Sequence, residues 1–127
     1  MTWSKDKQRE YHAAYYQANK KKILTRVSNY AKTPEGKCIA AWSSACWGAR
    51  KRGELIPERP SRMPPGGCEA CDNPPLMSRS LHMDHNHETG EFRGWLCSNC
   101  NRALGFLGDD IERLYSLAQY MSRQKPK

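Results

Sequence analysis

Cys68-Glu69-Ala70-Cys71, His82-Met83-Asp84-His85-Asn86-His87 and Cys97-Ser98-Asn99-Cys100-Asn101 follow one another within 34 residues. The cysteine spacing, C-x2-C-x25-C-x2-C, is that of two knuckles that each present two thiolates to one tetrahedral Zn2+. A closed set of four sulfurs leaves no open coordination position, so such an ion would be structural. The middle segment offers different chemistry. Asp84 and Asn101 are hard oxygen donors of the kind Mg2+ prefers, next to histidines whose ordinary pKa lies near neutrality. Two metal sites of opposite softness are therefore expected in one small fold.

The flanking residues supply the elements. Asp72-Asn73-Pro74-Pro75 reads as a turn, residues 80–87 as a strand, Glu88 to Gly90 as a turn and residues 91–96 as a second strand running into the second knuckle. Residues 101–106 open a short helix. Asp109 or Asp110 then caps a last helix whose Ile111, Leu114, Tyr115, Ala118 and Met121 form one apolar face. On a regular strand Asp84 and His85 would point to opposite faces, so their use in one site predicts an irregularity at that pair. A module of about 60 residues buries little core, and the metal is expected to supply much of its folding energy.

Upstream, residues 4–31 read as a long polar helix. Tyr11, Ala14, Tyr15 and Ala18 make a narrow apolar stripe among Lys5, Lys7, Arg9, Lys20, Lys21, Lys22 and Arg26. The stripe is too thin for an independent fold, so this helix must pack on something or lie along a partner. A second helix starts at Thr33 as N-cap, with Pro34 at its first position and Glu35 complementing its dipole, and runs to Arg52 before Gly53 stops it. Ile39, Trp42, Cys46 and Ala49 can share its buried face. Cys38 and Cys46 lack a CxxC partner and read as core thiols. Trp42 and Trp47 suit packing between helices better than stacking on bases. Residues 57–67, rich in Pro and Gly, look like a linker.

The chain of 127 residues carries a net charge of +8, unevenly placed. Residues 1–62 hold 14 Lys/Arg against 5 Asp/Glu, and residues 63–127 hold 7 against 8. Such asymmetry suits a basic appendage that grips a polyanion beside a module with another task; the plain alternative is a solvated basic helix. No stretch is apolar enough for a signal peptide or a membrane span, which points to the cytoplasm, where thiols stay reduced and CxxC pairs bind metal.

Hydrolysis of a phosphodiester needs a base for water, a group to polarise the phosphate and a charge to neutralise the leaving oxygen. A histidine can do the first, and one sparsely held divalent ion the other two. Three histidines in six residues could also ligate a second zinc or be a surface tract, and taken alone the segment divides evenly between ligation and catalysis. Their position between two knuckles, with Asn101 directly after the fourth cysteine, favours hydrolysis.

At these residues the chain resembles the recombination endonuclease VII family of phages, within the His-Me finger (ββα-metal, HNH-like) nucleases. The resemblance covers about residues 66–121 and rests on the two CxxC pairs, His82-x-Asp84-His85-x-His87, Arg93-Gly94-Trp95-Leu96-Cys97, Cys100-Asn101, and Leu104-Gly105 leading into Gly108-Asp109-Asp110. It implies Zn2+ on Cys68, Cys71, Cys97 and Cys100, Mg2+ (with Mn2+ as a substitute) on Asp84 and Asn101, and His85 as general base. It further implies an assisting role for His87, a place near the metal for His82, and Arg93 either on the DNA backbone or in a structural pair. Two departures stand out. The module is preceded by the basic segment and only 27 residues follow Cys100, which argues against the family's intertwined dimer. Leu104 stands where the junction-resolving prototype carries an acidic residue.

The expected fold is α+β: a zinc-bound ββα-metal module at 63–127 with a basic helical DNA-binding extension at 1–62 and a C-terminal helix. The expected activity is that of a Mg2+-dependent DNA endonuclease in the cytoplasm of a host cell. DNA would be held by Lys20, Lys21, Lys22, Arg26, Arg50, Lys51, Arg52 and Arg93, by one chain or a homodimer. A four-way-junction resolvase and a non-catalytic zinc-ribbon DNA-binding module are the alternatives.

Overall fold

Thr33 nucleates the helix that backs the site. Its hydroxyl accepts from the Gly36 N–H at 3.0 Å and donates to the Tyr30 carbonyl at 2.7 Å, so one side chain caps the new helix and ties it to the end of the previous one. The computed structural model, which describes residues 3–75 and 79–123, thus begins with α1 (Lys5–Ala31) and α2 (Pro34–Arg52). Gly36 is buried at this elbow, where a Cβ would strike the Tyr30 carbonyl. Gly53 ends α2 in the left-handed region, with φ at 72°.

β1 (His82–His85) and β2 (Phe92–Leu96) form an antiparallel hairpin, and α3 (Ser98–Leu107) and α4 (Ile111–Arg123) follow. The class is therefore α+β, with four helices and one two-stranded sheet among the described residues. Both strands are shorter than the sequence suggested. At the hairpin end the turn begins with Asn86: its Oδ1 accepts from the Glu88 and Thr89 N–H groups at 2.8 and 3.1 Å, and its own N–H closes the hairpin on the Glu91 carbonyl at 2.8 Å. Conversely, α3 starts three residues earlier than expected, because Cys97 is its N-cap and the whole second knuckle lies in its first turn.

The expected irregularity is present. Asp84 pairs with Gly94 but His85 with Phe92, so β2 carries one extra residue, Arg93, at a bulge. Asp84 and His85 are consecutive yet both buried, at 8% and 6% exposure.

Two strands alone could not bury a core. Here α2 lies on the hairpin, and Cys38 joins Leu81, Met83, Trp95, Leu96, Cys68 and Cys97 in one cluster, flanked by Ala41, Trp42 and Phe92. Trp95 is fully buried and donates its indole N–H to the Arg62 carbonyl at 3.1 Å. The segment read as a linker is in fact a strap. Pro57 is buried and its carbonyl accepts from the Trp42 indole at 3.0 Å, while the Glu58 N–H reaches the Gly90 carbonyl at 2.8 Å. Prolines keep it extended, and its carbonyls remain free to serve two tryptophans. Cys38 and Cys46 are core thiols as read. Trp47 departs from the reading: it is 63% exposed, with the Lys51 ammonium 5.0 Å above its ring.

The outer helices differ. α1 buries no residue, as a polar helix with a thin stripe should. α4 buries none either, although Ile111, Tyr115 and Met121 lie on it at 59%, 61% and 70% exposure. Its apolar face exists but is not covered by any of the described residues. Asp110 caps it, accepting from the Glu112 and Arg113 N–H groups.

Candidate active site

The four cysteines converge. Their sulfurs all lie within 4.8 Å of one another, and Cys71 Sγ is 3.9 Å from Cys97 Sγ. A tetrahedron with Zn–S bonds of about 2.3 Å has edges of about 3.8 Å, so the set can hold a zinc ion with little adjustment. Charge points the same way. Burial pushes the Cys68 thiol up, but the N–H groups of Cys97, Ala70 and Cys71, with the Cys71 thiol, outweigh it and bring it to about 6. Burial, the other three sulfurs and the Cys68 charge push Cys100 up to about 12. Four thiolates cannot share this space without a cation.

Glu69, inside the first knuckle, locks it to the sheet. Its N–H donates to the Trp95 carbonyl at 2.9 Å, its carboxylate accepts from the Trp95 N–H, and Arg62 pairs with it at 2.9 Å. Glycine at position 94 leaves room for this lock, since a Cβ there would have to displace the Glu69 carboxylate. The second knuckle is the start of α3: Cys97 Sγ accepts from the Cys100 N–H, and the Asn101 N–H donates to the Cys97 carbonyl at 3.0 Å. The knuckle thereby fixes where Asn101 stands.

A cleft of about 910 Å³ opens between α2, β1 and α3, and Asp84, His85, His87 and Asn101 all line it. His82 lines it too and ties β1 to α3 through a 3.0 Å contact between its Nε2 and Ser98 Oγ. The His85 and His87 rings are 4.8 Å apart. Burial, helped by the nearby His87, Arg52 and Arg93 charges, lowers the His85 pKa despite the opposing Asp84 carboxylate, so its imidazole is neutral at neutral pH. Its Nε2 is buried and has no hydrogen-bond partner among the described residues. Such an orphan usually marks a place completed by a ligand or water.

Arg93 occupies the Asp84 carboxylate. Nε donates to Oδ2 at 2.7 Å and Nη2 to Oδ1 at 3.0 Å, while Nη2 also reaches Asp109 Oδ1 at 3.0 Å. The structural pair named for Arg93 is thus formed, with Asp84 and Asp109 as its partners. Arg52 pairs with Glu54 at 2.7 Å and lines the cleft. Arg50 and Lys51 lie exposed on α2, and Lys20, Lys21, Lys22 and Arg26 on α1, away from the core.

Sequence reasoning missed several contributors. Asn86 builds the turn from between two histidines, Asp109 anchors Arg93, and Lys37 joins the cleft from α2. Asn followed four residues later by Gly was a usable turn signal for Asn86. Nothing local pointed to the other two.

A family model described as recombination endonuclease VII matches residues 43–123, and the chain belongs to that family. The match runs from within α2 through α4. Among curated proteins, the chain is similar to the Gene 59 proteins of Mycobacterium phages D29 and L5, each 37% identical, over 59 and 57 residues. These alignments cover 46% and 44% of this chain, which spans only about a third of its relatives' length (36% and 35%). No solved structure matches the chain.

Proposed function

We propose that the chain is a metal-dependent DNA endonuclease with a His-Me finger site on the β1–β2–α3 unit. The observation that supports this most is that Asp84, His85 and Asn101 line one cleft beside a cluster of four cysteines in a chain of this family. Oxygen donors of this kind suit Mg2+, and His85 Nε2, which has no hydrogen-bond partner among the described residues, suits a water. Asp84 and Asn101 would hold the ion, which when bound would polarise the scissile phosphate and neutralise the leaving oxygen. Cys68, Cys71, Cys97 and Cys100 would hold structural Zn2+.

The chain's own residues account for the other requirements. His85, kept neutral by burial, takes the proton of the attacking water. Asp84 has its carboxylate plane fixed by Arg93. His87 and Arg52, at the rim, contact the phosphate. Lys20, Lys21, Lys22 and Arg26 on α1, with Arg50 and Lys51 on α2, hold the duplex through its backbone, giving affinity that falls steeply with salt.

Nicking of supercoiled plasmid with Mg2+ against EDTA tests this reading. Metal-dependent nicking is expected; cleavage that survives EDTA and His85→Ala would refute it. The family's description supports a second reading, a branched-DNA resolvase. Rates on a synthetic four-way junction and a linear duplex of matched sequence decide between them, with a preference for the junction marking the resolvase.

A further inference from the structure

Arg93 is the residue that the bulge adds to β2, and its guanidinium turns to two carboxylates. The fork on Asp84 uses both oxygens, and the Asp84 side chain is only 11% exposed. The second carboxylate comes from across the cleft. Asp109 follows Gly108, which caps α3, and holds a left-handed backbone, with φ at 57°. The helix that carries Asn101 thus also anchors, at its far end, the arginine that grips Asp84.

We propose that Arg93 is a positioning residue and a resident counter-ion: tethered by Asp109, it orients the Asp84 carboxylate and competes electrostatically with a divalent cation there. This rests on the reading of Asp84 as a metal ligand. A bidentate guanidinium fixes the plane of a carboxylate better than a point charge does. The same positive charge repels a cation approaching that carboxylate, and Asp109 offsets part of the repulsion. Arg93 therefore makes binding weaker but better aimed, and Asp109 sets how much weaker.

Two substitutions should then act in opposite directions. Removing the guanidinium charge with Arg93→Gln should tighten binding of a divalent ion, and removing its counter-charge with Asp109→Asn should loosen it. Asparagine suits position 109 because it tolerates a positive φ. A role confined to holding the fold would move both variants the same way. Arg93→Lys keeps the charge and loses the fork, so its affinity should stay near that of the unaltered chain.

The experiment is a Mn2+ titration of the full, zinc-loaded chain, followed by the paramagnetic resonance signal of free Mn2+, with Asp84→Asn defining the site. Arg93→Gln should bind roughly tenfold more tightly and Asp109→Asn several-fold more weakly. An Asp84-dependent site that Arg93→Gln leaves unchanged or weakens overturns the inference while leaving the nuclease reading intact. Identical Mn2+ binding by the unaltered chain and Asp84→Asn overturns the ligand role of Asp84, and this inference with it. Should Arg93→Gln lose the near-ultraviolet signal of Trp95, the comparison of Asp109→Asn with Arg93→Lys decides: binding by Asp109→Asn no weaker than by Arg93→Lys overturns the inference.

Discussion

The β1–β2 hairpin carries opposite chemistry at its two ends. At the open end, four sulfurs crowd within 4.8 Å, and Cys68 and Cys97 are buried. Toward the turn, a carboxylate and two imidazoles line a cleft with the Asn101 carboxamide. The first end is closed and suits an ion held for the fold. The second is a cleft, where the proposed divalent ion would be shared with a substrate. α3 joins them, since its first turn is the second knuckle and its next residue is Asn101. Substitutions at the thiolate end should therefore cost the fold first and activity only as a consequence, while those in the cleft should do the reverse.

The largest expected effect is at the sulfurs. Cys68→Ser, or a strong chelator, should abolish cooperative unfolding and the near-ultraviolet signal of the buried Trp95, because structural zinc contributes directly to folding. Retention of both with zinc stripped would make the two ends equivalent. Next comes His85→Ala, which should lower the nicking rate by at least about a hundredfold while leaving zinc content and the Trp95 signal unchanged. A variant that loses zinc together with activity would show that the ends are not separable.

A smaller effect tests the joint between them. Gly94→Ala sets a Cβ against the Glu69 carboxylate that locks the first knuckle to β2. Destabilisation of about 1–3 kcal/mol in denaturant melts is expected from such overpacking; an unchanged midpoint would mean that the knuckle is not held by Glu69. Outside both ends, replacing Lys20, Lys21, Lys22 and Arg26 by alanine should leave the melt alone, since α1 buries nothing. It should flatten the salt dependence of DNA binding by about 0.9 in logarithmic slope for each phosphate that is no longer neutralised. An unchanged slope would remove α1 from the DNA grip.

Much of this was legible in the chain, for reasons that can be named. The knuckles announce themselves because zinc demands cysteines at fixed short spacing. The ends of α2 were readable because capping is local chemistry: Thr33, Pro34 and Gly53 each act within a few residues. Even the bulge could be anticipated, since strand alternation forbids Asp84 and His85 from sharing a face without one. At the hairpin end β1 stops short of the expected His87 because Asn86 already belongs to the turn, its side chain accepting from the Glu88 and Thr89 N–H groups.

Residue type and spacing along the chain were thus enough for the thiolate cluster, the limits of α2 and the company of Asp84, His85 and Asn101. Long-range packing alone settled that α2 and the proline strap close over the hairpin, that Trp42 is held while Trp47 is exposed, and that Arg93 links Asp84 to Asp109. Periodicity shows which side of an element is apolar, and composition shows which charges exist. Neither reveals which other element or charge will meet them: Trp42 meets a carbonyl 15 positions away, and Arg93 joins carboxylates 9 and 16 positions away on opposite sides of it in the chain.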